Sequence, residues 1–112
     1  MALTKIDKKL ITSTIAAAKT TTVTLGSDEE FVQLSSSGGA YTVTLPAVAD
    51  MVGRTLVLMK TTSDFNIITI DGNASETING VATTTLATQY ECLHLLGTSG
   101  GWVVVRREIP GD

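Results

Sequence analysis

The sequence has one cysteine and one histidine in 112 residues, Cys92 and His94. A lone cysteine excludes a disulfide within the chain and any metal site built from several thiolates. A lone histidine leaves little for general acid–base catalysis, which draws mostly on imidazole or paired carboxylates. Positive charge is also scarce: eight Lys and Arg against eleven Asp and Glu give a formal charge of -3. Apart from Lys8-Lys9 and Arg106-Arg107 the basic residues are scattered, so there is no footprint for a nucleic-acid backbone. No apolar run approaches the roughly 18 residues that a membrane-crossing helix needs. Lys5, Lys8 and Lys9 ahead of Leu10 to Ala18 resemble a signal peptide, but Asp7 among the lysines and Thr12, Ser13 and Thr14 across the apolar part break that pattern. The expectation is an intracellular protein with no nucleic-acid or membrane partner.

What is present argues for strands. Hydrophobic residues make up 43% and charged residues 17%, a composition that folds rather than stays disordered. The length suits one domain. Threonine is the commonest residue, in clusters such as Thr20-Thr21-Thr22 and Thr83-Thr84-Thr85, and its branched Cβ favours the pleated surface of a sheet. Tyr41, Val43 and Leu45 alternate with Thr42 and Thr44 up to Pro46, the pattern of a half-buried strand with a stop. Similar runs cover 21–25, 30–35, 55–60, 66–71, 84–86, 89–96 and 102–107. Between them stand Gly26-Ser27-Asp28, Ser37-Gly38-Gly39, Asp71-Gly72-Asn73, Asn79-Gly80 and Ser99-Gly100-Gly101, where Gly and Asn take positive φ readily. Residues 71–80 read as a tight arm that turns twice, and 47–52 as a helical turn. Short strands at this spacing predict an all-β fold, an antiparallel β-sandwich or jelly-roll-like barrel over residues 20–112. Residues 1–19 precede it as an N-terminal arm or short helix.

Reactive side chains are thin. Cys92 and His94 are two apart and share a strand face, but a Cys-His dyad needs an activated thiolate and an oriented base, so a filled sheet face is the expected role. Asp71, Asn73 and Glu76 on a Gly-containing loop do not match the spacing of a calcium loop. They read as a self-solvated turn, as do Asp28, Glu29 and Glu30. Ser35, Ser36, Ser37, Gly38 and Gly39 lack the Lys and the following helix of a phosphate loop. The expectation is therefore no catalytic, cofactor-binding or metal-binding residue, no cofactor and no enzyme. Of the five aromatics, Tyr41 and Trp102 fall on core-facing phases, which leaves Phe31, Phe65 and Tyr90, little for the exposed sugar platform that a carbohydrate-binding module would need.

The apolar pattern says more. Leu56 to Met59, Leu93 to Leu96 around His94, and Trp102 to Val105 run almost unbroken, so both faces of these strands avoid water. One face serves a core; the other either is covered by the amino-terminal segment or a loop or meets another subunit, and the expectation is a homo-oligomer, dimer or trimer.

Five stretches carry a family resemblance: TVTLP (42–46), VGRTLVLMKTT (52–62), ITIDGNASETING (68–80), ATTTLATQYECLHLL (82–96) and GGWVV (100–104). Together they resemble a β-domain that recurs in structural proteins of tailed bacteriophages, and the opening MALTKID is similar to the start of tail-fibre genes. The resemblance implies a virion component made in the host cytoplasm, with no catalytic residues to carry over. Read as a short self-contained domain with a leading arm, the chain is closer to a capsid decoration, cement or staple protein bound to the major capsid protein or other virion proteins. A tail-fibre or tail-tip protein for host attachment is the alternative, and a carbohydrate-binding module a second one.

Overall fold

The computed structural model describes residues 17–111. Of the arm or short helix expected over residues 1–19, residues 1–16 lie outside the described residues, and Lys19 makes a single bridge to Leu34. Eight strands form: β1 (Val23–Thr24), β2 (Phe31–Leu34), β3 (Tyr41–Thr44), β4 (Thr55–Lys60), β5 (Ile68–Asp71), β6 (Thr83–Leu86), β7 (Cys92–Thr98) and β8 (Gly101–Glu108). Each falls on a stretch whose alternation or β-branched content predicts a strand. The helical turn expected at 47–52 is a 3₁₀ turn at Val48–Asp50.

The strands make two four-stranded sheets, sheet I in the order β1-β3-β5-β6 and sheet II in the order β2-β4-β7-β8. From β1 to β5 the chain changes sheet after every strand. Two crossings restore its direction, so β1 pairs with β3, β3 with β5 and β2 with β4 in parallel. The chain then stays in sheet I for the antiparallel β5–β6 pair, crosses once more, and ends in the antiparallel pairs β4–β7 and β7–β8. The expectation of an antiparallel arrangement is thus corrected to a mixed one. The glycine turns at Gly26 and Gly38-Gly39 look like hairpin turns in sequence, but each feeds the opposite sheet. Nor is there a closed barrel, because both sheets keep two edges.

The inward phases of both sheets share one core. Sheet I contributes Tyr41, Val43, Ile68, Ile70 and Leu86, and sheet II contributes Val32, Leu34, Leu56, Leu58, Leu93, Leu95 and Trp102. Burying each such aliphatic side chain contributes about 1.5–3 kcal/mol. Gly97 lets β7 touch the turn beyond the 3₁₀ helix: a Cβ there would stand 2.2 Å from the Met51 carbonyl oxygen, while the Gly97 N–H donates to Arg54 and its carbonyl accepts from Gly53.

One buried charge sits at the rim of this core. Lys60 occupies the same inward phase as Leu56 and Leu58 and is fully buried. Its Nζ donates to the carbonyls of Thr62 and Asp64 and to Asp64 Oδ1 at 2.9, 3.0 and 3.1 Å, so the ammonium replaces the water it loses with three oxygens. Asp64 Oδ1 also accepts from the buried Ser36 hydroxyl at 2.7 Å. That hydrogen bond, before any other, holds the Asp64 carboxyl well below the usual carboxylate range. Burial, with the Asp64 charge nearby, pushes the Tyr41 hydroxyl up to about 12.

Candidate interaction surface

The register places every outward side chain. On sheet I, Thr24, Thr44, Asp71 and Thr83 lie side by side across the four strands, and Thr42, Thr69 and Thr85 form the next row. This is a threonine wall. Its hydroxyls face water while the branched Cβ atoms support the strands, and cross-strand Thr pairs add about 0.2–1 kcal/mol each.

The outward face of sheet II has a different composition. One row runs Phe31, Val57, His94, Arg106; the next runs Gln33, Met59, Cys92, Glu108; a third runs Thr55, Leu96, Val103. Phe31, Val57, Met59, Cys92 and Leu96 are half-buried, and Val103 and Val105 are exposed. The middle of the face is apolar, and its charge collects on β8. The apolar runs noted in β4, β7 and β8 alternate between the shared core and this face.

The edge beside β2 is partly closed. The Lys19 N–H donates to the Gln33 carbonyl, and the Ser35 N–H donates to the Lys19 carbonyl, both at 2.9 Å. The leading segment therefore joins the main body along the β2 edge of sheet II, and a 3.2 Å ion pair from Lys19 to Glu29 fastens it. At the opposite edge Ile78 bridges Trp102, and the Asn79 side chain accepts from the Val104 N–H. Among the described residues no strand pairs with the far half of β8, which is lined by charged residues that discourage stray strand pairing.

β8 carries a bulge. His94 pairs with Arg106 but Leu95 pairs with Val104, so Val105 is an extra residue. An extra residue reverses the alternation of everything after it. Arg106 and Glu108 consequently point outward beside His94 and Cys92, and Arg107 points inward. From there the Arg107 guanidinium bonds the Glu91 carboxylate, the Thr85 carbonyl and the Thr84 hydroxyl, clamping β8 of one sheet to β6 of the other. Burial alone would raise the Glu91 carboxyl; the N–H of Ala87, the Arg107 guanidinium and the N–H of Thr88 outweigh it and hold it below its ordinary value.

No family model matches the chain, and no curated protein matches it.

The residues singled out from sequence sort as follows. Cys92 and His94 are together, with Sγ 3.6 Å from Nε2, and Glu108 joins them, its Oε1 3.4 Å from Nε2. Unbroken alternation along β8 would put Glu108 on the other face, and nothing in the residues around Val105 announces the bulge that turns it. Burial, and then the Glu108 charge, raises the Cys92 thiol, which opposes a nucleophilic thiolate at neutral pH. Asn73 and Glu76 are structural: the Asn73 amide donates to the Leu45 carbonyl, and Glu76 accepts from the Val48 N–H at 2.9 Å. Glu29 accepts from Gly26 within its own turn. Ser36 of the serine-glycine stretch belongs to the Lys60 cluster. That cluster was missed, although a lysine in phase with Leu56 and Leu58 and an aspartate four residues later was a readable signal. Tyr41 and Trp102 are buried, whereas Phe65 is 96% and Tyr90 53% exposed. Both stand on loops tied to Lys60, since the Tyr90 N–H donates to the Lys60 carbonyl and the Lys60 ammonium bonds Asp64.

Proposed function

We propose that this protein is a non-enzymatic structural component of a bacteriophage virion, working as a homo-oligomer whose copies meet through the outward face of sheet II. The contrast between the two outward faces carries the reading: the same chain covers one sheet with threonine and the other with Phe31, Val57, Met59, Leu96 and Val103. The family resemblance supplies the virion setting. In this reading the two layers act as a β-sandwich block. A second copy suits the face because its β8 margin offers Arg106 and Glu108, opposite charges two residues apart, which a symmetry-related copy can meet in reverse.

The face measures roughly 320 Å² from four strands about 4.8 Å apart and five residues of about 3.3 Å each. A standard interface buries about 800 Å² per partner, so this face needs help. Lys19 lies on the β2 edge of the same sheet, and in this reading the chain before it supplies the remainder by adding main-chain hydrogen bonds or a docked segment on a neighbour. This arrangement is that of a capsid decoration protein: a rigid block and an arm clamp adjacent shell subunits, and several weak contacts together give firm retention.

A tail-fibre or tail-tip role is the rival, supported by the exposed Phe65 and Tyr90 on one cluster of loops, where a receptor glycan could stack. Sedimentation velocity of the full chain at micromolar concentration tests the common core of both readings: an oligomer is expected, and a stable 11.7 kDa monomer overturns it. Electron cryomicroscopy of intact particles then separates shell from tail. Deleting residues 1–18 is expected to leave the body folded and abolish retention on particles, and full occupancy would remove the arm from the mechanism.

A further inference from the structure

The sheet II face carries one cluster that surface packing does not explain. Cys92 and His94 share the outward phase of β7, and Glu108 is the direct cross-strand partner of Cys92. Their donor atoms, Sγ, Nε2 and a carboxylate oxygen, all lie within 4.8 Å of one another. A tetrahedral zinc ion binds sulfur at about 2.3 Å and nitrogen or oxygen at about 2.0–2.2 Å, so two vertices of its shell stand about 3.6 Å apart for sulfur and nitrogen and about 3.4 Å apart for nitrogen and oxygen. The observed separations are 3.6 Å for Cys92 to His94 and 3.4 Å for His94 to Glu108. Two of the three donor separations already match edges of one tetrahedral shell, and the third, Cys92 to Glu108, is within 4.8 Å.

We infer that Cys92, His94 and Glu108 form a binding site for a zinc-type divalent cation on the outward face of sheet II. Thiolate, imidazole and carboxylate together select zinc or its borderline neighbours over magnesium and calcium, which demand oxygen alone. The half-buried side chains of Cys92 and His94 leave a fourth position open for water or an incoming donor. Arg106 completes the design: its Nη2 holds Glu108 Oε2 at 2.8 Å, orienting the carboxylate and leaving Oε1 turned to His94. Binding forms the sulfur–metal bond as the Cys92 thiol gives its proton to solvent, and thiolate plus carboxylate then cancel the two charges of the ion, leaving the Arg106 charge on the exposed margin of the face. The bulge at Val105 makes the site, since without it Glu108 would turn to the other face. The site stands whether or not this face meets a second copy.

The test uses the untagged full chain, stripped with a chelator and dialysed. Zinc titrated against a chromophoric indicator is expected to bind at one ion per chain with micromolar or tighter affinity and to release one proton per ion. Cobalt in place of zinc is expected to give tetrahedral visible bands and a sulfur-to-cobalt charge-transfer band. Cys92→Ser should abolish that band and weaken zinc binding at least tenfold, His94→Ala should weaken binding at least tenfold, and Arg106→Ala should weaken it less, with circular dichroism confirming that each variant is folded. Absence of zinc binding at millimolar concentration in the unaltered protein overturns the inference, as does affinity unchanged in folded Cys92→Ser. Sedimentation with and without zinc reads the oligomer separately, so the two proposals can fail independently.

Discussion

The two outward faces of this molecule are built on the same scaffold and present opposite surfaces. Sheet I shows water six threonines and Asp71; sheet II shows Phe31, Val57, Met59, Cys92, Leu96 and Val103 around a single imidazole. Both satisfy the strands beneath them, because threonine and valine are alike in β-branching and differ in what lies beyond Cβ. Fold stability therefore does not require the apolar face. In the proposed reading, this apolar face is where a second copy is buried.

The sharpest way to break this comparison lies in two adjacent residues. Leu95 is fully buried in the shared core and Leu96 faces out. Leu95→Ala is expected to lower the unfolding free energy by about 2–5 kcal/mol, and Leu96→Ala, measured in the dissociated chain by urea titration, by less than about 1 kcal/mol. Equal losses would mean that the outward face is structural.

A charge placed on each face in turn comes next. Val57→Lys at the centre of sheet II is expected to weaken self-association by about 2 kcal/mol or more, roughly thirtyfold, read by sedimentation. Thr69→Lys at the centre of sheet I should leave the oligomer intact. Disruption by Thr69→Lys instead would move the interface to the threonine wall.

Acid probes the clamp between the two layers. The Glu91 carboxyl titrates below its unfolded value, so its contribution is fully present above the ordinary glutamate range near pH ~4.3. It is lost as pH falls from there through the depressed folded value. Glu91→Gln is expected to flatten that limb of a stability–pH curve, and an unchanged acid limb would assign it to Asp64 and other carboxylates. The smallest effect belongs to Thr69→Val, which should alter stability by no more than about 0.5 kcal/mol while making the threonine wall slightly more adhesive.

Much of this was legible in the residues. Strand positions followed from alternation and β-branching, the turns from Gly and Asn, and the burial of Tyr41 and Trp102 from their phase. Strand direction was not, because a six-residue connection such as 25–30 or 35–40 reads the same whether it returns to the same sheet or crosses to the other. Lys60 was overlooked because lysine on an inward phase is affordable only when oxygens from Thr62 and Asp64 converge on it, and convergence is a property of the loop, not of local propensity.

The chain's own order of residues determined that this protein is built of strands, holds one cysteine and one histidine, and places apolar residues on both phases of β4, β7 and β8. Those are local and compositional facts, set by side-chain shape and the two-residue period of a strand. Tertiary structure alone decided which positions meet: the sheet-to-sheet crossings that made three pairings parallel, and the single extra residue at Val105. That residue turned Arg107 inward onto Glu91 and brought Glu108 round to Cys92 and His94. Both depend on where distant strands come to lie, and one step of register is enough to exchange the inside of a strand with its outside.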